Sequence, residues 1–228
     1  MLTDCARNMW AFPLIGAFIG LLAGLFGWVA YHFLPGIVVG ALVLALLLWM
    51  TGLHHMDGLL DFGDGVMAHG TFDHKIEVMH DQLTGAGGLS LGILTILITA
   101  LSIGQLGGRL IFPAIIVVEL SAKLSMVVAA WAGKSVHQGM NSPFLENMHG
   151  RGGNWRLLAA LVISFAVAVP LLRWAGVFIV VAAVMTGLVM VAVAHKHFNG
   201  VTGDVFGATN ELATLVCVVV LLALVTVW

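Results

Sequence analysis

Asp57, Asp61 and Asp64 stand in the stretch HHMDGLLDFGDG, positions 54–65, directly after an almost uninterrupted apolar run. A carboxylate beside lipid is expensive to keep there, so three together need a partner. On a helix at about 100° per residue they fall within roughly 60° of one another. Like charges held that close repel unless a cation lies between them. Hard divalent cations such as Mg2+ take oxygen ligands, often one or two carboxylates plus substrate phosphates. The spacing therefore points to Mg2+ held by Asp57, Asp61 and Asp64, against the plainer reading of a solvated polar loop. Gly58, Gly63 and Gly65 lie among them, and glycine lets a ligand come close to the backbone.

Two further stretches carry related chemistry. In GTFDHKIEVMHDQLTGAGG, positions 70–88, Phe72, Ile76, Met79 and Leu83 recur at helical spacing, which predicts an amphipathic helix over 72–83 lying at a membrane interface. Asp73, Glu77 and Asp81 share another face; Asp81 is nearest the glycine-rich exit that holds Gly85 and is the better candidate for chemistry. Asp73 and Glu77 read as solvated charges around Lys75. In HKHFNGVTGDVFGATNE, positions 195–211, Asp204 and Glu211 share a face if the last helix starts near 204. The turn before it, with Thr202 and Gly203, presents free N–H groups and the positive end of a helix dipole to a phosphate.

The remaining polar residues each have a structural alternative. His195 and His197 flank Lys196 at a helix end, where an interfacial role fits better than ligation of a soft metal. His54 and His55 suit substrate contacts and interfacial positions equally. Glu119 and Lys123, four apart inside a predicted span, are either functional or a self-neutralising pair. Asn141, Arg151 and Asn154 could reach a nucleotide or phosphate, with Arg151 the best anion partner. Candidate substrate contacts are thus His55, Gly85, Arg151, Thr202, Gly203 and Glu211.

The elements that must position these residues are membrane helices. The 228 residues are 61% hydrophobic and 9% charged, with mean hydropathy +1.07, whereas soluble domains carry about 25% charged residues. The apolar runs lack the alternation of a membrane β-barrel. Seven segments, near 10–34, 36–53, 87–106, 110–131, 156–173, 175–194 and 206–227, approach the roughly 20 residues that cross a bilayer. The expected fold is an all-α, polytopic transmembrane bundle of about seven helices in a single domain, plus an interfacial amphipathic helix carrying acidic motifs. Gly16, Gly20, Gly24 and Gly27 form a small-residue face for helix packing. Cys5 and Cys217 are too far apart to suggest a disulfide framework or a metal motif. With no basic cluster, no nucleic-acid partner is expected, and a homo-oligomer is left open.

With the N-terminus inside, Arg7, Lys75, Lys134, Arg151, Arg156 and Lys196 fall on the cytoplasmic side and only Arg109 and Arg173 outside, in accord with the positive-inside rule. The three polar segments 54–86, 132–155 and 195–205 then share the cytoplasmic face of the cell (inner) membrane.

HHMDGLLDFGDGV, IEVMHDQLTGAGG and GVTGDVFGATNE, in that order, together resemble the cobalamin synthase family, the adenosylcobinamide-GDP ribazoletransferases. The first is similar to its His-x-Asp-Gly-x-x-Asp-x-x-Asp-Gly signature, the second to its Met-x-Asp with a glycine-rich turn, the third to its Gly-x-Thr-Gly-Asp-x-x-Gly-Ala element. WAFPLIGAFIG resembles the family's first helix, so the likeness runs from Trp10 to the end. It implies a Mg2+-dependent, multi-pass enzyme that joins adenosylcobinamide-GDP to α-ribazole or its 5′-phosphate and releases GMP, the last joining step of adenosylcobalamin assembly. On that expectation Asp57, Asp61 and Asp64 hold Mg2+ on the pyrophosphate, and one of Asp64, Asp81 or Asp204 is the general base. A CDP-alcohol phosphotransferase also clusters membrane aspartates, but DGLLDFGDG lacks the Ala-Arg that its motif wants after Asp-Gly. A cation transporter would place its acids near the bilayer midplane rather than at span ends. A purely structural subunit gives no account of three ordered acidic motifs.

Overall fold

Long apolar runs leave the backbone N–H and C=O groups no partner in lipid but each other, and within one segment that means a helix. The computed structural model describes residues 6–136 and 141–226. After a 3-10 turn at Met9–Ala11 come α1 (Phe12–Ala30), α2 (Gly36–Met50), α3 (His54–Met67), α4 (Phe72–Met79) and α5 (Ala86–Gln105). They are followed by α6 (Ile111–Ala132), α7 (Ser142–His149), α8 (Gly153–Leu172), α9 (Trp174–Phe198) and α10 (Gly203–Thr226). Among the described residues no strand forms beyond one parallel bridge between Ser135 and Val201. Six of these elements are long and apolar enough to cross a membrane: α1 with the turn before it, α5, α6, α8, α9 and α10. The chain is a polytopic helical bundle.

The expected span over 36–53 stops at Met50. Thr51 turns its hydroxyl back on the carbonyls of Leu47 and Leu48, 3.1 Å from each. Gly52 and Leu53 then take left-handed backbone, φ 64° and 63°, which glycine adopts freely and leucine at some strain. α3 leaves this break bent by 95° from α2, and the two reach membrane length only as a pair. The helix expected over 72–83 is also shorter. Asp81 accepts the N–H of Leu83 at 3.2 Å, a local turn that competes with helix, so Leu83 lies exposed instead of on the apolar face. The eight-residue α7 in the middle polar segment carries no comparable periodicity; Pro143 in its first turn helps to start it.

α6 is the central pillar, buried almost without a break from Ile111 to Ala130. α1 crosses it through the predicted glycine face. A Cβ on Gly20 would lie 2.5 Å from the Ile115 carbonyl and 2.7 Å from Ile116 Cα; Gly16 faces Glu119 and Lys123, and Gly24 faces Phe112. α2 and α5 approach equally closely at Gly36, Gly40 and Gly104. Tyr31 pins their ends by donating to the Gly104 carbonyl at 2.6 Å and accepting from the Gly107 N–H at 3.3 Å.

The three polar segments meet at one end of the bundle. Lys75 Nζ is 3.3 Å from His197 Nδ1, and the Lys134 N–H donates to His195 Nε2 at 3.2 Å. Asn141 donates to the Val201 carbonyl at 2.7 Å. Arg156 donates to the carbonyls of Asn147 (2.7 Å) and Arg7 (3.1 Å). Arg109 sits instead beside Trp28 and Phe112, in the turn that enters α6.

Gly20→Ala is expected to destabilise the detergent-solubilised protein by about 1–3 kcal/mol, because the added methyl must push α1 off the α6 backbone. Leu21→Ala, on the exposed face of the same helix, shifts stability by less than about 0.5 kcal/mol. Unfolding in denaturant titrated into mixed micelles measures both; equal effects would deny the glycine contact its role.

Candidate active site

The glycines of the first acidic motif bring helices, not a ligand, against α3. A Cβ on Gly58 would sit 2.9 Å from Asp204 Cα, one on Gly63 2.9 Å from Gly88 Cα, and one on Gly65 2.9 Å from Met79 Sδ. Gly207 on α10 returns the first contact, meeting the His55 carbonyl at 2.9 Å. Gly58 and Gly65, seven residues apart, thus seat α10 and α4 against one face of α3, and Gly63 seats α5 against another. The carboxylates between them are brought to where those helices begin or end.

Asp64 has a structural task that spacing does not reveal. Its two oxygens accept the N–H groups of Gly85 (2.7 Å) and Gly88 (2.8 Å), donors at the start of α5 that have no intrahelical acceptor. The carboxylate also suits the positive end of that helix's dipole. Gly85, expected to touch substrate, is thereby occupied as the first residue of this cap.

Asp57 and Asp204 line one cavity of about 520 Å³. Its other walls are His54, His55, Asn141, Gly203 and Gly207, with Met9, Phe12, Met126, Phe144 and Phe206 as the apolar side. Asp61 lies within electrostatic reach of Asp204, Asp57 and Asp64. Asp204 in turn feels His80 and Asp57. Four carboxylates of two motifs therefore share one electrostatic neighbourhood, as the sequence suggested for three of them. Thr202 caps α10: its hydroxyl accepts the Val205 N–H at 3.3 Å and lies 3.4 Å from Asp204 Oδ2. Gly203 opens on the cavity, and a Cβ there would meet nothing within 4 Å.

Four predicted residues lie elsewhere. Asp81 sits on the exposed turn after α4, engaged with the Leu83 N–H. Arg151 is exposed in a separate surface depression with Glu146 and Arg156, while Asn154 accepts from Trp131 Nε1 at 2.9 Å. Glu211 lies behind the cavity. Its Oε1 accepts from Asn210 Nδ2 at 3.0 Å and is 3.9 Å from His55 Nδ1. Asn210 accepts from Lys123 at 2.6 Å, and Lys123 is 3.9 Å from Glu119, which accepts from Thr214 at 3.4 Å. Glu119 and Lys123 are thus members of a buried polar network between α6 and α10. Sequence reasoning missed His80 and the five apolar cavity residues. A phenylalanine or methionine in so apolar a chain carries no distinguishing signal.

The four carboxylates offer oxygen donors, which a hard cation prefers. Among the described residues no group of three or more His, Cys, Asp or Glu side chains is placed to hold a metal ion. Asp57 and Asp61, one helical turn apart, suit a Mg2+-type cation that keeps substrate oxygens and water as its other ligands. Such an arrangement, beside a cavity and a helix N-terminus, can hold a polyanion and transfer a phosphoryl group.

Residues 2–222 match the family described as cobalamin-5-phosphate synthase. A Methanococcoides burtonii relative named adenosylcobinamide-GDP ribazoletransferase is 28% identical over 99% of this chain and 85% of its own length. Relatives of the same name from Methanosarcina barkeri and Thermococcus kodakarensis are 30% and 34% identical, over 97% and 91% of this chain and 84% and 85% of their own lengths. No solved structure matches the chain.

Asp64→Ala removes the acceptor for two N–H groups and is expected to lower stability by about 2 kcal/mol. Asp57→Ala, on an exposed position without a hydrogen bond to the backbone of another helix, is expected to leave stability unchanged. Thermal unfolding of the two variants, both free of divalent cations, makes the comparison. A stable Asp64→Ala protein would show that α5 does not need this cap.

Proposed function

The chain belongs to the cobalamin-5-phosphate synthase family, and from that premise we propose that it joins adenosylcobinamide-GDP to α-ribazole or its 5′-phosphate with release of GMP. The observation that carries this reading is the meeting of Asp57 and Asp204, from motifs some 150 residues apart in the chain, in one nucleoside-sized cavity. Losing GMP from a GDP ester means that the bond between the two phosphorus atoms' shared oxygen and the cobinamide-side phosphorus breaks. The acceptor ribose hydroxyl oxygen forms the new bond to that phosphorus, the electron pair leaves on GMP, and the hydroxyl proton must go to a base.

Asp204 takes that proton. Asp64 has both oxygens held by Gly85 and Gly88, and Asp81 lies on an exposed turn, which leaves Asp204 on the cavity wall. Asp57 and Asp61 would hold a divalent cation, Mg2+, together with oxygens of the substrate pyrophosphate. When bound, it supplies positive charge against the transferring phosphoryl group and departing GMP. Asp64 is a positioning residue, fixing α5 against α3. Gly203 and the N–H groups at the start of α10 offer room and dipole for a phosphate. His55 contacts substrate from the cavity wall with Glu211 behind it.

This end of the bundle faces the cytoplasm. It gathers Arg7, Lys75, Lys134, Arg151, Arg156 and Lys196, against Arg109 and Arg173 at the opposite turns. Leu83→Cys, at an exposed position, is expected to react with a membrane-impermeant maleimide in inverted vesicles and not in intact cells; the reverse pattern would turn the topology over.

The reaction is tested by GMP release from purified protein given adenosylcobinamide-GDP and α-ribazole 5′-phosphate, with and without Mg2+. Metal-dependent release is expected. Asp57→Asn, Asp61→Asn and Asp204→Asn are each expected to lower kcat by about 100-fold or more while the protein stays folded. Folded wild-type protein that releases no GMP with any divalent cation would overturn the reading.

A further inference from the structure

The cavity's lining is of two kinds, acidic and apolar, and the reading above uses only the acidic residues. The apolar part of the lining is Met9 from the turn before α1, Phe12 of α1, Met126 of α6, Phe144 of α7 and Phe206 of α10. Phe12 and Phe144 meet edge to face, ring centroids 6.0 Å apart and planes at 64°, so one wall is a pair of interlocked rings. Two methionines in the same lining offer flexible, polarizable thioether chains that conform to a flat ligand. This is more apolar wall than a phosphate or a metal needs.

We propose that these apolar side chains, the Phe12–Phe144 pair first, seat the flat heteroaromatic base of the acceptor nucleoside, a benzimidazole-type bicycle, with its ribose turned towards Asp57 and Asp204. The inference rests on the transferase reading and deepens it by assigning one substrate to one part of the site. Three considerations select the acceptor's base. Asp204 is the proton acceptor, so the reacting ribose hydroxyl lies against it, and the base attached to that ribose must lie in the adjoining space. The volume of about 520 Å³ falls in the range of small-ligand pockets, roughly 300–1,000 Å³; it admits a nucleoside but not a corrin macrocycle with its amide side chains. Guanine and the adenine of the adenosyl group, the aromatic bases of the donor, carry donors and acceptors around their edges. Phenylalanine and methionine side chains leave these unmet, and a buried polar edge without partners is costly. A benzimidazole has no exocyclic polar group, and its ring face stacks on phenylalanine.

The test uses the full-length protein in detergent and two steady-state titrations read by GMP release, one of α-ribazole 5′-phosphate and one of adenosylcobinamide-GDP. Phe144→Ala is expected to raise the KM for the acceptor by about tenfold, the scale of losing one aromatic stacking partner, with the KM for the donor unchanged. Phe144→Trp, which keeps an aromatic face, restores the acceptor KM. Met126→Ala provides a second opening of the same wall, with the same selective loss. Direct binding of α-ribazole to each protein without donor is measured alongside. It decides the matter even for a wild type that releases no GMP, so failure of the reaction and failure of this assignment remain distinct. Acceptor binding weakened in Phe144→Ala and rescued in Phe144→Trp supports the assignment. A rise in donor KM alone, with GMP competing for the site, would make the cavity the guanine seat. Unchanged acceptor binding in both Phe144→Ala and Met126→Ala would overturn the proposal outright.

Discussion

Two amide protons at the start of α5, those of Gly85 and Gly88, end on the carboxylate of Asp64, and the acidic end of the bundle is arranged around that contact. The first N–H groups of a helix have no intrahelical acceptor, so where α5 meets α3 another group must take them. Placing the acceptor on a neighbouring helix, rather than on the residue before the first turn, makes the cap a tertiary bond. It satisfies α5 and at the same time fixes the register of α3, so Asp61 and Asp57, one and two turns earlier, acquire defined positions. A carboxylate that would otherwise add to the repulsion among Asp57, Asp61 and Asp204 is partly neutralised by the helix it caps.

Close backbone approach does the rest. Gly58 against Asp204 and Gly207 against His55 bring α3 and α10 together at the residues that line the cavity. Hydrophobic burial alone cannot choose between neighbouring helix rotations in lipid, because the solvent is as apolar as the side chains. Shape does the choosing, and small residues set it. The same device recurs where α1 crosses α6 at Gly16, Gly20 and Gly24. At that crossing it serves only to hold the pillar, since no polar side chain of α1 takes part.

The carboxylate neighbourhood and the glycine face of α1 were readable in the sequence because both depend on periodicity, which survives without knowledge of partners. The three polar segments were also assignable to one end, since alternating spans place every second connection on the same side. Asp64 shows where that reasoning stops. A carboxylate at i+7 from Asp57 looks the same whether it binds a cation or caps a helix, and only the path of residues 80–88 decides. Arg151 shows the same for a loop: charge suggested a phosphate partner, but α7 and the start of α8 carry it to a separate depression beside Arg156. The phenylalanines and methionines of the cavity were invisible for a different reason, being chemically ordinary in a chain that is 61% hydrophobic.

Asp204 shares its helix with a buried polar network that it does not touch. Asp204 and Glu211 are seven residues apart on α10, so their side chains leave the helix within about 20° of each other. Glu211 is held in place by Asn210 and lies beside His55, and Asn210 is bonded to Lys123, which sits against Glu119 on α6. Each member of this network is buried or nearly so, and separating any one from its partners would strand a polar group in the bundle interior. Rotating α10 about its axis breaks the network before it relieves anything. The buried acids, amide and lysine therefore lock the helix with Glu211 facing the junction of α3 and α6, and two turns earlier the same rotation aims Asp204 at the cavity. The charge pair on α6 that sequence alone could read as either functional or self-neutralising is paired, and through Asn210 it ties α6 to α10.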